Sequence, residues 1–148
     1  MLRPLRAFLA LIALAASLAA APAAPAAPPT TAERALLRAV NEARAARGLR
    51  ALRFSWPLQD RSHAYARWLL RTDSFVHASS LPPSTRENLA WGTSNVTSAR
   101  RIVRMWLDSP GHRAALLWRA ARRAGVGVAR GSYHGYSDAR VAVLRLRP

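Results

Sequence analysis

The chain has 148 residues, with 23 arginines, no lysine, no cysteine and seven acidic residues, for a formal net charge of +16. That length holds one domain with a modest core. The lack of cysteine excludes disulfides, a thiol nucleophile and cysteine-based zinc sites. The charge favours anionic partners, an envelope lipid or polymer, although evenly scattered arginines also read as a solvated basic surface.

Residues 1–19 read as a secretory signal. Arg3 and Arg6 precede an apolar run from Phe8 to Leu18, which is too short to span a bilayer comfortably. Ser17-Leu18-Ala19 offers small residues for cleavage after Ala19. Residues 20–31 form an Ala/Pro-rich linker, where Pro22, Pro25, Pro28 and Pro29 favour an extended spacer. The folded domain is expected over 32–148, secreted or periplasmic, with no transmembrane segment after cleavage. Nucleic acid is the least favoured partner of an exported chain without a nucleic-acid motif.

A first helix is expected from Ala32 to Arg47. Thr30 or Thr31 caps it, Glu33 lies in its first turn and Gly48 stops it. Leu36, Leu37, Val40 and Ala43 form its apolar stripe, with Arg34, Arg38, Arg44 and Arg47 on other faces. Asn41, near that stripe, reads as a buried hydrogen-bonding residue. Leu49, Leu52 and Phe54 alternate as a short extended segment does. A second helix starts at Ser55-Trp56-Pro57 and carries Leu58, Ser62, Tyr65 and Leu69, with His63 at its boundary. Thr72 to Arg86 is a long polar loop, opened by Phe75-Val76-His77. Glu87 to Gly92 closes it as a short strand.

The third helix follows a Thr97 cap, with Ala99, Ile102, Val103, Trp106 and Leu107 at helical spacing. The chain then restarts at Ser109-Pro110, which caps and opens a fourth helix. His112 falls in its first turn, where a neutral imidazole is favoured. Gly125 to Ala129 and Val141 to Leu146 read as strands joined by a turn over Gly131 to Asp138. Helices followed by short late strands give an α+β class with an antiparallel sheet.

His77, Glu87 and His112 are the candidate chemistry. Two imidazoles and a carboxylate can bind a zinc-type ion with open positions, or form a hydrogen-bonded polar cluster. No zincin helix, hydrolase elbow, P-loop or dinucleotide fingerprint is present.

These motifs, in this order, resemble the CAP superfamily: cysteine-rich secretory proteins, antigen 5 and pathogenesis-related 1 proteins. The resemblance rests on Asn41 with Arg44 before Gly48, Phe75-Val76-His77, Glu87-Asn88-Leu89-Ala90-Trp91-Gly92, Met105 through Arg113, and Gly125-Val126-Gly127-Val128. It implies a three-layer α-β-α sandwich with a short central antiparallel sheet and a cleft lined by two histidines and two acids. His77, His112 and Glu87 take the places of the histidines and the first acid, with a divalent metal such as zinc bound in some members. The second acid of animal and plant members falls on Ser109 here, next to Asp108, and the final strand lacks the aromatic-rich ending. The cleft is therefore expected to comprise His77, Glu87, His112, Asp108 and Ser109. No catalytic residue is assigned. The expected function is a non-enzymatic binding module, with lipid or an anionic envelope polymer as ligand. The alternative is a divalent-metal-dependent hydrolase using His77, His112 and Glu87.

Overall fold

The computed structural model describes residues 27–93 and 97–148. The signal at 1–19 and most of the linker lie outside the described residues. Helix α1 (Thr31–Ala45) begins where a capping box forms: Thr30 accepts from the Glu33 N–H, and Glu33 returns to the Thr30 N–H. Strand β1 (Arg53–Phe54), helix α2 (Trp56–Thr72) and strand β2 (Arg86–Thr93) follow. Helix α3 (Ala99–Asp108) is capped by Ser98, one residue past the expected Thr97. Thr97 instead donates its hydroxyl to the Thr93 carbonyl at 2.8 Å. Helix α4 (Pro110–Leu116) restarts at Ser109 as expected, although the Ser109 hydroxyl makes no capping bond. Strands β3 (Arg123–Tyr133) and β4 (Tyr136–Arg147) complete the chain. No described helix is long and apolar enough to cross a membrane.

The sheet order is β1-β3-β4-β2. The three long strands are antiparallel, and the two residues of β1 add a parallel edge to β3. The expected eight-residue turn between the last strands contracts to His134-Gly135, both at positive φ, because the ladder runs on to Tyr133 and Tyr136.

Period-two alternation on β4 divides the core between the two faces. Ala142, Leu144 and Leu146 pack with Leu36 and Val40 of α1, Ile102 and Trp106 of α3, and Leu116 of α4. Val141 and Val143 pack on the other face with Ala66 and Leu69 of α2. The result is helix, sheet, helix.

Beyond β1, the outer edge of β3 has no strand partner among the described residues. Side chains satisfy it instead. Gln59 accepts from the Val126 N–H at 3.0 Å, and Glu33 accepts from the Val128 N–H at 3.1 Å. Glu33 therefore does more than face the helix dipole. It is 2% exposed and also holds His63 Nδ1 at 2.7 Å, which gives the boundary histidine a fixed partner. Burial pushes the Glu33 carboxyl up, but its bonds to His63, Thr30 and Val128 outweigh that and hold it below the usual carboxylate range.

Arg44 departs from the expected exposed face of α1. It is fully buried, donating from Nε to the Arg50 carbonyl and from Nη1 to Leu116 and Trp118. It thus ties the end of α1 to the end of α4. Asn41 behaves as expected, exchanging both amide bonds with the Leu52 backbone.

Candidate functional site

Three consecutive residues of β2 build the site. They reach three different elements, Glu87 and Asn88 through side chains on opposite faces of the sheet and Leu89 through its backbone carbonyl. Glu87 Oε1 receives His77 Nδ1 at 2.9 Å and the Ala78 N–H at 3.1 Å. Asn88 Nδ2 donates to the His112 carbonyl at 2.9 Å. The Leu89 carbonyl accepts from Trp106 Nε1 at 2.8 Å. One short run therefore fixes the loop histidine, the first turn of α4 and the end of α3.

The second carboxylate oxygen of Glu87 is also engaged. Arg145 stands directly opposite Glu87 in the β2–β4 register. Its Nε and Nη2 lie 2.9 and 2.8 Å from Oε2, and its Nη1 donates to the Arg61 carbonyl. The Arg145 guanidinium also lies over the Tyr65 ring at 4.8 Å. Tyr65 donates to the Val76 carbonyl at 2.8 Å, securing the loop one residue before His77.

His77 is exposed, and its ring centroid lies 6.4 Å from that of His112. The His112 ring makes no hydrogen bond among the described residues. Burial first, and then the charge on His77, lowers its pKa below the usual histidine value. The neutral imidazole expected at this position thus has an identified cause. Glu87 accepts at Nδ1 of His77, leaving Nε2 as the position for a ligand.

The structure brings His77, Glu87 and His112 together. Asp108 is exposed at the end of α3, and neither it nor the Ser109 hydroxyl bonds to the three. Both oxygens of Glu87, the expected third metal ligand, are engaged by His77, Ala78 and Arg145. Among the described residues no group of three or more His, Asp or Glu side chains is arranged to hold a metal ion. The donors left open are two imidazoles, with Glu87 orienting one of them as an outer carboxylate does at a metal site.

The reading of the sequence alone missed Arg145 and the tethering role of Asn88. Arg145 had a signal: it interrupts the apolar run Val141-Ala142-Val143-Leu144 on a strand expected to be buried. A buried arginine requires acceptors for its guanidinium, which carbonyls supply to Arg44 and a carboxylate supplies to Arg145.

The profile of the cysteine-rich secretory protein family, CAP, matches residues 37–145. The chain belongs to the CAP family. Its fold is similar to that of an outer surface protein of Borrelia burgdorferi, at 24% identity and a TM-score of 0.58, covering 78% of this chain and 92% of that one. Venom allergen-like protein 4 of Schistosoma mansoni is similar at 13% identity and a TM-score of 0.61, covering 80% and 89%. A Bacillus anthracis extracellular protein containing an SCP domain is similar at 18% identity and a TM-score of 0.57, covering 82% of this chain and 45% of that one. A comparison with curated protein sequences finds no match. The CAP assignment accounts for the order of the motifs.

Proposed function

We propose that this CAP domain is an exported, non-catalytic binding module whose cleft takes its ligand between His77 and His112. The observation that carries this reading is the engagement of Glu87. Its carboxylate is held by Arg145 on one oxygen and by His77 and Ala78 on the other. It orients an imidazole and has no free oxygen to act as a general base, which favours binding over metal-dependent hydrolysis. Cleavage after Ala19 would place the domain outside the cytoplasm, and outer surface and extracellular settings are those of two structurally similar proteins.

His77 and His112 would hold a divalent ion such as zinc, which when bound supplies Lewis acidity toward a ligand oxygen. Glu87 fixes the His77 tautomer, and Asn88 fixes the turn that carries His112. Calorimetric titration of the metal-stripped full chain with zinc tests the cleft. One-to-one binding is expected, lost in His77→Ala and in His112→Ala. Glu87→Gln should keep it, weakened by about 10- to 100-fold, as the loss of an orienting partner does. No binding, or binding indifferent to both histidines, would overturn the proposal of a ligand cleft. Zinc-dependent ester hydrolysis that disappears in His77→Ala would overturn its non-catalytic character.

A further inference from the structure

Seven arginines gather at one end of the sheet, around three adjoining depressions. The first, of about 350 Å³, is lined by Arg61, Arg123, Arg147 and Thr85, with Arg145 also at its wall. The second, of about 420 Å³, shares Arg123 and adds Arg50, Arg53 and Arg122. The third, of about 360 Å³, shares Arg50 and Arg122 and adds Arg119. Shared walls make the three one continuous track. No acidic side chain lines any of them.

Four further observations mark this track as more than scattered surface charge. First, Arg53, Arg123 and Arg147 are direct register partners on three adjacent strands. Like charges placed opposite one another in a sheet are destabilising, so the row stands at an electrostatic cost to the free protein. Second, all seven are exposed, and none forms an ion pair with an acidic side chain among the described residues. Third, the charge is felt inside: burial first, and then Arg122, lowers the pKa of buried Arg44. Fourth, the Thr85 hydroxyl oxygen beside the first depression is buried without a hydrogen-bond partner.

We propose that this track binds a linear polyanion whose charges are phosphate groups. Planar guanidinium forks match phosphate oxygens in pairs. Three linked depressions suit a chain of repeated charges better than one small anion, which would fill only one of them. No aromatic side chain lines the track, so it offers no stacking platform for nucleobases. The bound anion relieves the repulsion along Arg53, Arg123 and Arg147, and Arg61 and Thr85 hold its end. This gives a location to the anionic polymer expected from the net charge. It does not depend on the histidine cleft, so failure of the zinc titration leaves it untouched.

The test uses long-chain inorganic polyphosphate as probe, with affinity measured on the full chain over a series of salt concentrations. The parent should bind, and more weakly as salt rises. Arg50→Ser/Arg122→Ser/Arg123→Ser should lose about tenfold or more in affinity and flatten the salt slope by about one per phosphate contact removed. Arg71→Ser/Arg101→Ser/Arg104→Ser removes the same charge elsewhere and should lose less than about threefold by long-range attraction alone. Thermal midpoints at or above that of the parent would show that both triple variants fold, with a rise expected where Arg123 leaves the row. Equal losses in the two variants would overturn the track, reducing it to net charge. So would absence of binding at low salt, tighter binding of single-stranded DNA than of polyphosphate, or track-dependent binding confined to phosphatidylglycerol vesicles.

Discussion

Glu87→Ala is expected to lower folding stability by about 3–5 kcal/mol, the cost of stranding a buried charge. Both Glu87 and Arg145 are buried, and the guanidinium pairs with no other carboxylate among the described residues. The same change releases His77 and the Ala78 N–H, so the loop at residues 73–85 loses its tether to β2. Denaturant unfolding of Glu87→Ala, Arg145→Met and the double variant measures the pair. The double variant should recover most of the loss, because two apolar side chains leave no buried charge unpaired. A Glu87→Ala protein within about 0.5 kcal/mol of the parent, the range of an ordinary surface change, would contradict the buried pair.

Gly127→Ala should cost about 3 kcal/mol, at the severe end of overpacking. A Cβ there would lie 2.1 Å from the Ser62 carbonyl oxygen and 2.3 Å from its carbon. Gly125 stands equally close, with a Cβ 2.1 Å from the Leu58 carbonyl carbon. The obstacle is helix backbone in both cases, so no side-chain rotation relieves it. Helix α2 would have to lift from β3, breaking the Gln59 bond to Val126 that satisfies the sheet edge. Gly111→Ala is the control: nothing lies within 4 Å of its Cβ position, and the change should be within about 0.5 kcal/mol. Thermal or denaturant midpoints of the two variants decide it, and equal stability would contradict the close approach of α2 to β3.

The helices were legible because each carries a local stripe and a local stop. Leu36 and Val40, or Ile102 and Trp106, reveal the buried side of a helix without any knowledge of its partner. The Gly125-Val126-Gly127-Val128 run was legible as strand, and its valines as core. The reason for its glycines was not, since it lies in the backbone of α2. The long β3–β4 hairpin was underestimated because Gly131 to Asp138 read as a turn, yet pairing continues through Gly131 and, past a register shift, to Tyr133 and Tyr136.

Legibility in the site followed the same division. His77, Glu87 and His112 were found as residue types beside helix ends and turns. Their ranks were not, because rank depends on contacts distant in the chain. Glu87 reads as a ligand until Arg145, 58 residues away, takes one of its oxygens. Glu33 reads as a helix-dipole residue until Val128 and His63 claim it. Arg44 reads as surface until α4 closes over it. The charge total was legible, whereas its concentration at one end of the sheet depends on strand register.

The central claim is that His77 and His112 form one open pair in a cleft tethered by β2. Titration of the imidazole resonances by nuclear magnetic resonance in the parent and in His77→Gln tests it most directly. The His112 midpoint should lie below the usual histidine value in the parent. It should rise in His77→Gln, where only burial still lowers it. A His112 that titrates at or above the usual value, and does not respond to His77, would contradict the pair.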